Sequence, residues 1–264
     1  MTAYTKKQVL LKAENVSLVY DGHTILHDIN FEIKDIVRPD VQQGQVVSLI
    51  GRSGMGKTQL FKLLSGLQKP TSGKITLQND QTVKAGDMGV IFQNYYLFEW
   101  RTVYQSLLLA AKQNPLLKGK EKEAIEDFAT RFQINAHLQL YPQQLSGGQR
   151  QRASIIQQLL KGADFLLLDE PFSGLDVCMQ DKVMELLLEV SVSDELKTLI
   201  IVSHDINASV AISDTIFILG NQVNQPGATI VKEIDLIERD LAWQHDVRHR
   251  KAFAETVDEI KACL

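Results

Sequence analysis

Three short runs carry residue types spaced for phosphate and metal chemistry. The run Gly51-Arg52-Ser53-Gly54-Met55-Gly56-Lys57-Thr58 fits G-x-x-x-x-G-K-[ST]. Glycines at those intervals let the backbone curl until its N–H groups converge on phosphate oxygens, and a helix starting behind the loop adds its positive end. Lys57 would then reach the β and γ phosphates of a nucleotide, and the Thr58 hydroxyl would ligate Mg²⁺. A glycine-rich structural turn is the alternative. The flanks favour the phosphate reading. Gln45 to Ile50 reads as a short buried strand, and Leu60, Phe61, Leu63 and Leu64 recur at helical spacing after the loop.

Phe165-Leu166-Leu167-Leu168-Asp169-Glu170 is an apolar strand that ends in two carboxylates. Beside a phosphate loop, Asp169 is placed to hold Mg²⁺ through water, and Glu170 to orient and polarise the attacking water. Solvated acids after a buried strand are the plainer reading. The third run, Leu145-Ser146-Gly147-Gly148-Gln149, puts a hydroxyl and free N–H groups at a helix start, a second anion-binding arrangement. Its plainer reading is a helix cap with Ser146 as the N-cap.

The elements that must position these runs alternate in type. Val9 to Tyr20 and Thr24 to Ile33 read as strands joined by an Asp21-Gly22 turn, and Val37 to Gln43, with Pro39, as a surface excursion. Further strands are expected at Gly73 to Leu77 and Met88 to Phe92. Helical patterns run over Arg101 to Lys112 and Lys120 to Phe132, the second with a stripe of Ile125, Phe128, Ala129 and Phe132 that suits simple helix packing. Helix Gln149 to Leu160, strand Phe165 to Leu168, helix Met179 to Val192, strand Thr198 to Val202, helix Ile206 to Ser213 and strand Thr215 to Leu219 follow. Such alternation implies an α/β fold with a mainly parallel sheet covered by helices. The tail from Asp240 to Leu264 is charged and reads as helical.

The 264 residues suffice for one large α/β domain or two modest ones. With 28 Lys and Arg dispersed among 32 Asp and Glu, net −4, no footprint for nucleic acid is visible, and none is expected as a partner. Cys178 and Cys263 lie too far apart for a metal-ligand spacing and read as reduced thiols. Met1 to Lys12 lacks the apolar stretch of a signal peptide, and no apolar run is long enough to span a bilayer. The expectation is a cytoplasmic chain that works at a membrane only if another chain ties it there.

Together with Gln93, the stretch Ser173-Gly174-Leu175-Asp176 and His204, the three runs resemble the ATP-binding cassette (ABC) ATPase family. The elements occur in that family's order from Val9 to Leu236. The resemblance implies a single ABC domain over 1–264. It would have a P-loop NTPase (RecA-like) core, an N-terminal antiparallel β subdomain, a helical signature subdomain over about 95–160 and a C-terminal tail over 237–264. It also implies roles. Tyr20 matches the aromatic that stacks on adenine. Gln93 matches the glutamine that senses Mg²⁺ and the γ-phosphate, and His204 the switch histidine. Leu145 to Gln149 match the signature that closes on ATP held by a second, identical copy, and Asp176 the aspartate of the dimer-communication loop. Two such cassettes would sandwich two ATP molecules head to tail, and their closure would drive a membrane permease from the cytoplasmic face.

Departures stand beside these matches. Gln59 follows Thr58 where a hydroxyl residue is usual, so its supporting phosphate contact is in question. Ala153 to Gln158 lacks the usual arginine, and the Val37 to Gln43 excursion lengthens the approach to the loop. Asn94-Tyr95-Tyr96-Leu97-Phe98-Glu99-Trp100-Arg101 would face the permease. It is similar to the Leu-x-x-Trp-Arg stretch of importer ATPases for nitrate, sulfonates and taurine, with Glu99 where proline is common. A non-transport ABC ATPase and an ATP-binding regulatory module without turnover are the other classes. The first usually shows paired cassettes, zinc modules or coiled coils, and the second would tend to lose Glu170 or His204.

Overall fold

A computed structural model describes residues 4–37, 44–175, 177–192, 198–242, 244 and 246–264. Strands β1 (Thr5–Tyr20) and β2 (His23–Val37) form a long antiparallel hairpin closed by Tyr20 opposite His23. Asp21 and Gly22 both take positive φ, 49° and 77°, as a two-residue primed turn requires. Both strands outrun the expected spans. Val37 ends β2, and the rest of the expected excursion, 38–43, lies outside the described residues.

The strands β3 (Gln45–Gly51), β4 (Ser72–Leu77), β5 (Gln81–Thr82), β6 (Gly89–Ile91), β7 (Phe165–Asp169), β8 (Thr198–Ser203), β9 (Thr215–Asn221) and β10 (Ala228–Asp235) complete one sheet. Its order is β5-β4-β1-β2-β10-β9-β3-β8-β7-β6. The run β9-β3-β8-β7-β6 is parallel throughout, and β4, β1 and β2 pair antiparallel. β10 joins the two halves, antiparallel to β9 and touching β2 through Ala228 and Leu26. Sequence pattern passes over β5 and β10: the first has two residues, and the second mixes Lys232 and Glu233 into its apolar positions.

Side-chain alternation divides the parallel strands between two cores. Leu166, Leu168, Leu199 and Ile201 face one cluster, and Phe165, Leu167, Ile200 and Val202 the other. The first core takes the helices α2 (Val103–Ala111), α3 (Glu121–Arg131), α4 (Gly147–Leu160) and α5 (Val177–Val192). Within it Ile125, Ala129 and Phe132 are buried and Phe128 partly so, which is the stripe read from the sequence. The second core holds α1 (Lys57–Leu64) against the antiparallel strands. Among the described residues no helix is long and apolar enough to cross a membrane.

The tail is helical only in its last part. Turns follow Leu236, Asp240 takes φ 56°, and Arg250 bonds the Asp240 carbonyl and carboxylate at 2.9 and 2.6 Å. These contacts hold the chain in a reversal before α7 (Lys251–Cys263) begins. Phe253, Val257 and Ile260 of α7 are buried against Ile216, Ile218 and Ile234 in a third cluster. Helix α6 (Ile206–Ile212), capped by Asp205, adds Val210 to it.

Glu259 pins α7 to β10 and the turn after it. It accepts two bonds from Arg239, at 2.6 and 3.1 Å, and pairs with Lys232 at 2.6 Å. The Arg239 guanidinium, then Lys232, holds its carboxyl down to about 2. A carboxyl depressed by folding stabilises the fold above its unfolded value, and that contribution is lost as pH falls through the folded value. The protection of α7 amides from hydrogen exchange is therefore expected to drop as pH falls from the ordinary glutamate range to about 2, and Glu259→Gln to remove that pH step.

Candidate functional site

The buried strand β3 delivers the loop Gly51 to Thr58 to the start of α1. Gly54 and Gly56 adopt φ of 82° and 86°, a conformation L side chains rarely take. At Gly56 a β-carbon would stand 3.0 Å from both Ile25 and Leu26, so the close approach of β2 also demands glycine. No side chain caps the first turn of α1. Its leading N–H groups thus meet the loop interior, the arrangement that attracts anions. Arg52, Ser53, Gly54 and Thr58 are exposed, Met55 and Gln59 half-buried, and Lys57 buried.

Lys57 folds back over its own loop. Its Nζ donates to the Gly51 carbonyl at 2.9 Å and to the Arg52 carbonyl at 3.2 Å, and lies 3.6 Å from Glu170 Oε1. Glu170 follows β7 with φ 49°, a left-handed conformation uncommon for such a side chain. Its N–H bonds the Val202 carbonyl at 2.8 Å, which ties the bend to β8. Its Oε2 accepts from Ser203 Oγ at 3.3 Å and from the His204 N–H at 3.2 Å, and lies 2.8 Å from His204 Nδ1. The ends of β3, β7 and β8 therefore meet at one carboxylate.

Asp169, one residue earlier, is half-buried, and desolvation pushes its carboxyl above the ordinary aspartate value. Adjacent Glu170 raises it further, and Lys57 opposes the rise. Two carboxylates here face one ammonium, a balance that favours a further cation. Among the described residues no group of three or more His, Cys, Asp or Glu forms a metal cage. A cation here would draw ligands from hydroxyls, phosphate and water, which suits Mg²⁺.

Gln93, just after β6, donates its amide to Ser173 Oγ at 3.2 Å, and so reaches the turn that follows Glu170. Tyr95 bonds the Pro171 carbonyl at 3.3 Å in the same turn, and burial pushes its phenol up to about 12. Tyr20 is 65% exposed at the closed end of the hairpin, beyond the β2 residues that meet Gly56. Asp176 lies outside the described residues.

Leu145 to Gln149 stand apart from these groups, on the helical layer. Ser146 caps α4: its Oγ accepts from the Gln149 N–H at 3.3 Å, and Gln149 Oε1 accepts from the Ser146 N–H at 2.8 Å. The reciprocal pair is a capping box. The helix-cap reading of Ser146 therefore holds. It leaves the N–H groups of Gly147 and Gly148 at a helix start, so the anion-binding reading survives beside it. Gln149 Nε2 also lies 2.8 Å from His137 Nε2.

Sequence reasoning gave no role to Ser203, to Ser173 beyond its place in the stretch that ends at Asp176, or to His137. The first two are small hydroxyls beside recognised residues, and only the bonding geometry marks them. Nothing in the pattern around His137 points to Gln149.

Comparison with known proteins places the chain in a family. The ABC transporter family matches residues 35–173, just over half of the chain. The ABC transporter ATP-binding protein YtlC of Bacillus subtilis (strain 168), itself uncharacterized, is 35% identical over 234 residues, covering 87% of this chain and 84% of its own. The nitrate transport protein NasD of Klebsiella oxytoca is 33% identical over 201 residues, 75% of each chain. The solved structure of cbiO1 from Clostridium perfringens, part of the ABC transporter complex cbiONQ, superposes with TM-score 0.74 at 26% identity over 96% of both chains. This chain belongs to the ABC transporter family and is an ATP-binding, ATP-hydrolysing subunit of it.

Proposed function

We propose that the chain hydrolyses Mg²⁺–ATP at a site built from Gly51 to Thr58, Asp169, Glu170, Gln93 and His204, completed by Leu145 to Gln149 of a second copy. The observation that carries this reading is the meeting of Lys57, Glu170 and His204 at the ends of three adjacent parallel strands. Phosphate oxygens entering the loop compete for Lys57 with the Gly51 and Arg52 carbonyls and with Glu170. Once Lys57 turns to phosphate, Glu170 keeps its three donors on Oε2 and has Oε1 free to accept a proton from water. With both ring nitrogens protonated, His204 would hold that carboxylate through Nδ1–H and have Nε2–H to donate to the γ-phosphate. Thr58, Gln93 and, through water, Asp169 would hold Mg²⁺, which spreads the charge that develops on the β and γ phosphates. Tyr20 stacks on adenine. Gln59 is half-buried, and its contribution to phosphate is left to the loop N–H groups around it.

The Gly147 and Gly148 N–H groups, at the positive end of α4, are the donors a partner's γ-phosphate would meet. Two copies arranged head to tail thereby complete both sites, and Asp176 lies in the segment that would join them. Closure supplies positioning and charge stabilisation, the main requirements of phosphoryl transfer.

The membrane partner is a permease at the cytoplasmic face, docked on the segment after Gln93. There Tyr96 and Trp100 are 65% and 73% exposed. Phe98 stacks on Trp100 at 5.4 Å, and the Arg101 guanidinium lies 6.0 Å from the Phe98 ring. Likeness to NasD and the Leu97-x-x-Trp100-Arg101 pattern support a cargo among small inorganic or organic anions.

Glu170→Gln is expected to keep ATP affinity while lowering steady-state hydrolysis by roughly 100-fold or more, and unimpaired turnover would sink the assigned role. Lys57→Ala should weaken binding of a fluorescent ATP analogue by about 100-fold, or about 2.7 kcal/mol. Trp100→Ala should reduce recovery of the chain with membranes from cells that make its permease, with basal hydrolysis unchanged; equal recovery would move the docking surface elsewhere.

A further inference from the structure

A cleft of about 380 Å³ opens on the helical side of the molecule, between the end of α3, the first turns of α4 and the first half of α5. It shares no residue with the phosphate loop or with Asp169, Glu170 and His204. Three cations line it, Arg131, Arg152 and Lys182, against one carboxylate, Glu185. Arg152 is held in place by its bonds to the Gly148 carbonyl at 3.3 Å and the Phe132 carbonyl at 3.4 Å, and a guanidinium has donors to spare beyond these. Arg131 lies 5.5 Å from the Phe128 ring.

Gln151 lines the same cleft and is 2% exposed, yet its Nε2 has no hydrogen-bond partner. A buried amide donor left unpaired costs about 1–3 kcal/mol, so an acceptor reaching it would recover that penalty. Phe132, Val183 and Leu186 supply an apolar wall. Several cations, one of them held by two backbone carbonyls, with one buried unpaired donor and an apolar wall, are the features of a site for a small amphiphilic anion.

We propose that this cleft binds a small organic dicarboxylate, with one carboxylate between Arg152 and Lys182 and taken up by Gln151 Nε2 once that buried amide turns toward the cleft, its carbon chain against Phe132 and Val183, and its second carboxylate at the open mouth. The position gives such a ligand a consequence. Gly148 also lines the cleft, and a β-carbon there would meet the Met179 side chain of α5 at 3.4 Å. A ligand in the cleft therefore bridges α4, which carries the signature glycines, to α5 of the core. It would limit how far the helical layer moves against the sheet. The binding half stands independently of the proposed catalytic roles, and the bridging half rests on the reading of Ser146 to Gln149 as the signature.

The test is a nuclear magnetic resonance titration of the ¹⁵N-labelled full chain with glutarate, and separately with inorganic phosphate, without nucleotide. Gln151→Leu, which keeps the volume, assigns the Gln151 side-chain amide signals. Glutarate is expected to shift those signals with a dissociation constant of about 1 mM or tighter, and exposed Lys182→Glu to weaken binding at least about tenfold. Hydrogen exchange at α4 should slow on binding in the parent chain but not in Lys182→Glu. No shift by about 10 mM glutarate overturns the proposal, as does binding that Lys182→Glu leaves unchanged. Tighter binding of inorganic phosphate than of glutarate overturns the assignment to an organic carboxylate. Because no turnover is measured, failure here is separate from failure of the catalytic assignment.

Discussion

The contact between Lys57 and its surroundings organises the molecule. One ammonium group reaches the end of β3 through the Gly51 carbonyl, the loop through the Arg52 carbonyl, and the end of β7 through Glu170. Glu170 carries the same cluster to β8 by its bonds with Ser203 and His204. A buried ammonium is costly unless paired and hydrogen-bonded, so the three strand ends must stay in register for Lys57 to remain satisfied. The parallel pairings Val47 with Ile200 and Leu167 with Ile200 set that register, and the two cores on either side of β8 hold it.

Around this centre the two halves of the molecule serve different needs. The antiparallel hairpin brings Ile25 and Leu26 against Gly56 and leaves Tyr20 exposed at its tip. The helical layer, inserted between β6 and β7, carries Ser146 to Gln149 away from the strand ends. Its near edge is tied to the segment after Gln93: Arg150 pairs with Glu99 at 3.4 Å while donating to the Pro142 carbonyl at 2.8 Å, and Gln143 donates to the Glu99 carbonyl at 3.2 Å. The residue that departs from the usual proline thus joins the exposed aromatic segment to α4 and the turn before it. An exposed pair of this kind contributes about 0–1 kcal/mol, enough to bias an orientation but not to fix it.

Much of this was legible in the sequence because local pattern and local function coincide there. The loop Gly51 to Thr58 announces itself by glycine spacing, and positive φ at Gly54 and Gly56 is why glycine stands there. The β-branched and leucine-rich runs at 45–50, 165–168 and 198–202 are strands because parallel strands buried on both faces need nothing else. What the pattern could not show depends on distant partners. β10 carries Lys232 and Glu233 among its apolar residues, and its place is set by β9 and β2 rather than by its own alternation. The late start of α7 follows from Arg250 reaching back to Asp240, ten residues away. Ser203 and Ser173 gain meaning only from the carboxylate and amide that fold beside them. Asp176 and most of the 37–43 excursion fall outside the described residues, so the expectations there rest on the sequence alone.

The capping box at Ser146 bears on how long two copies would stay together. Its hydroxyl is already committed to the Gln149 N–H, and the Gln149 amide is divided between Ser146 and His137. That commitment uses only a lone pair of the serine oxygen, so an incoming phosphate would take the O–H in place of water without breaking the cap, and association exchanges one hydrogen bond for another. Exchange of that kind adds selectivity for the anion and little net adhesion. In the proposed head-to-tail pair, a grip of this sort would suit copies that part after every cycle. It would hold only while the charged group lies between the two faces, and would let go once that charge has gone.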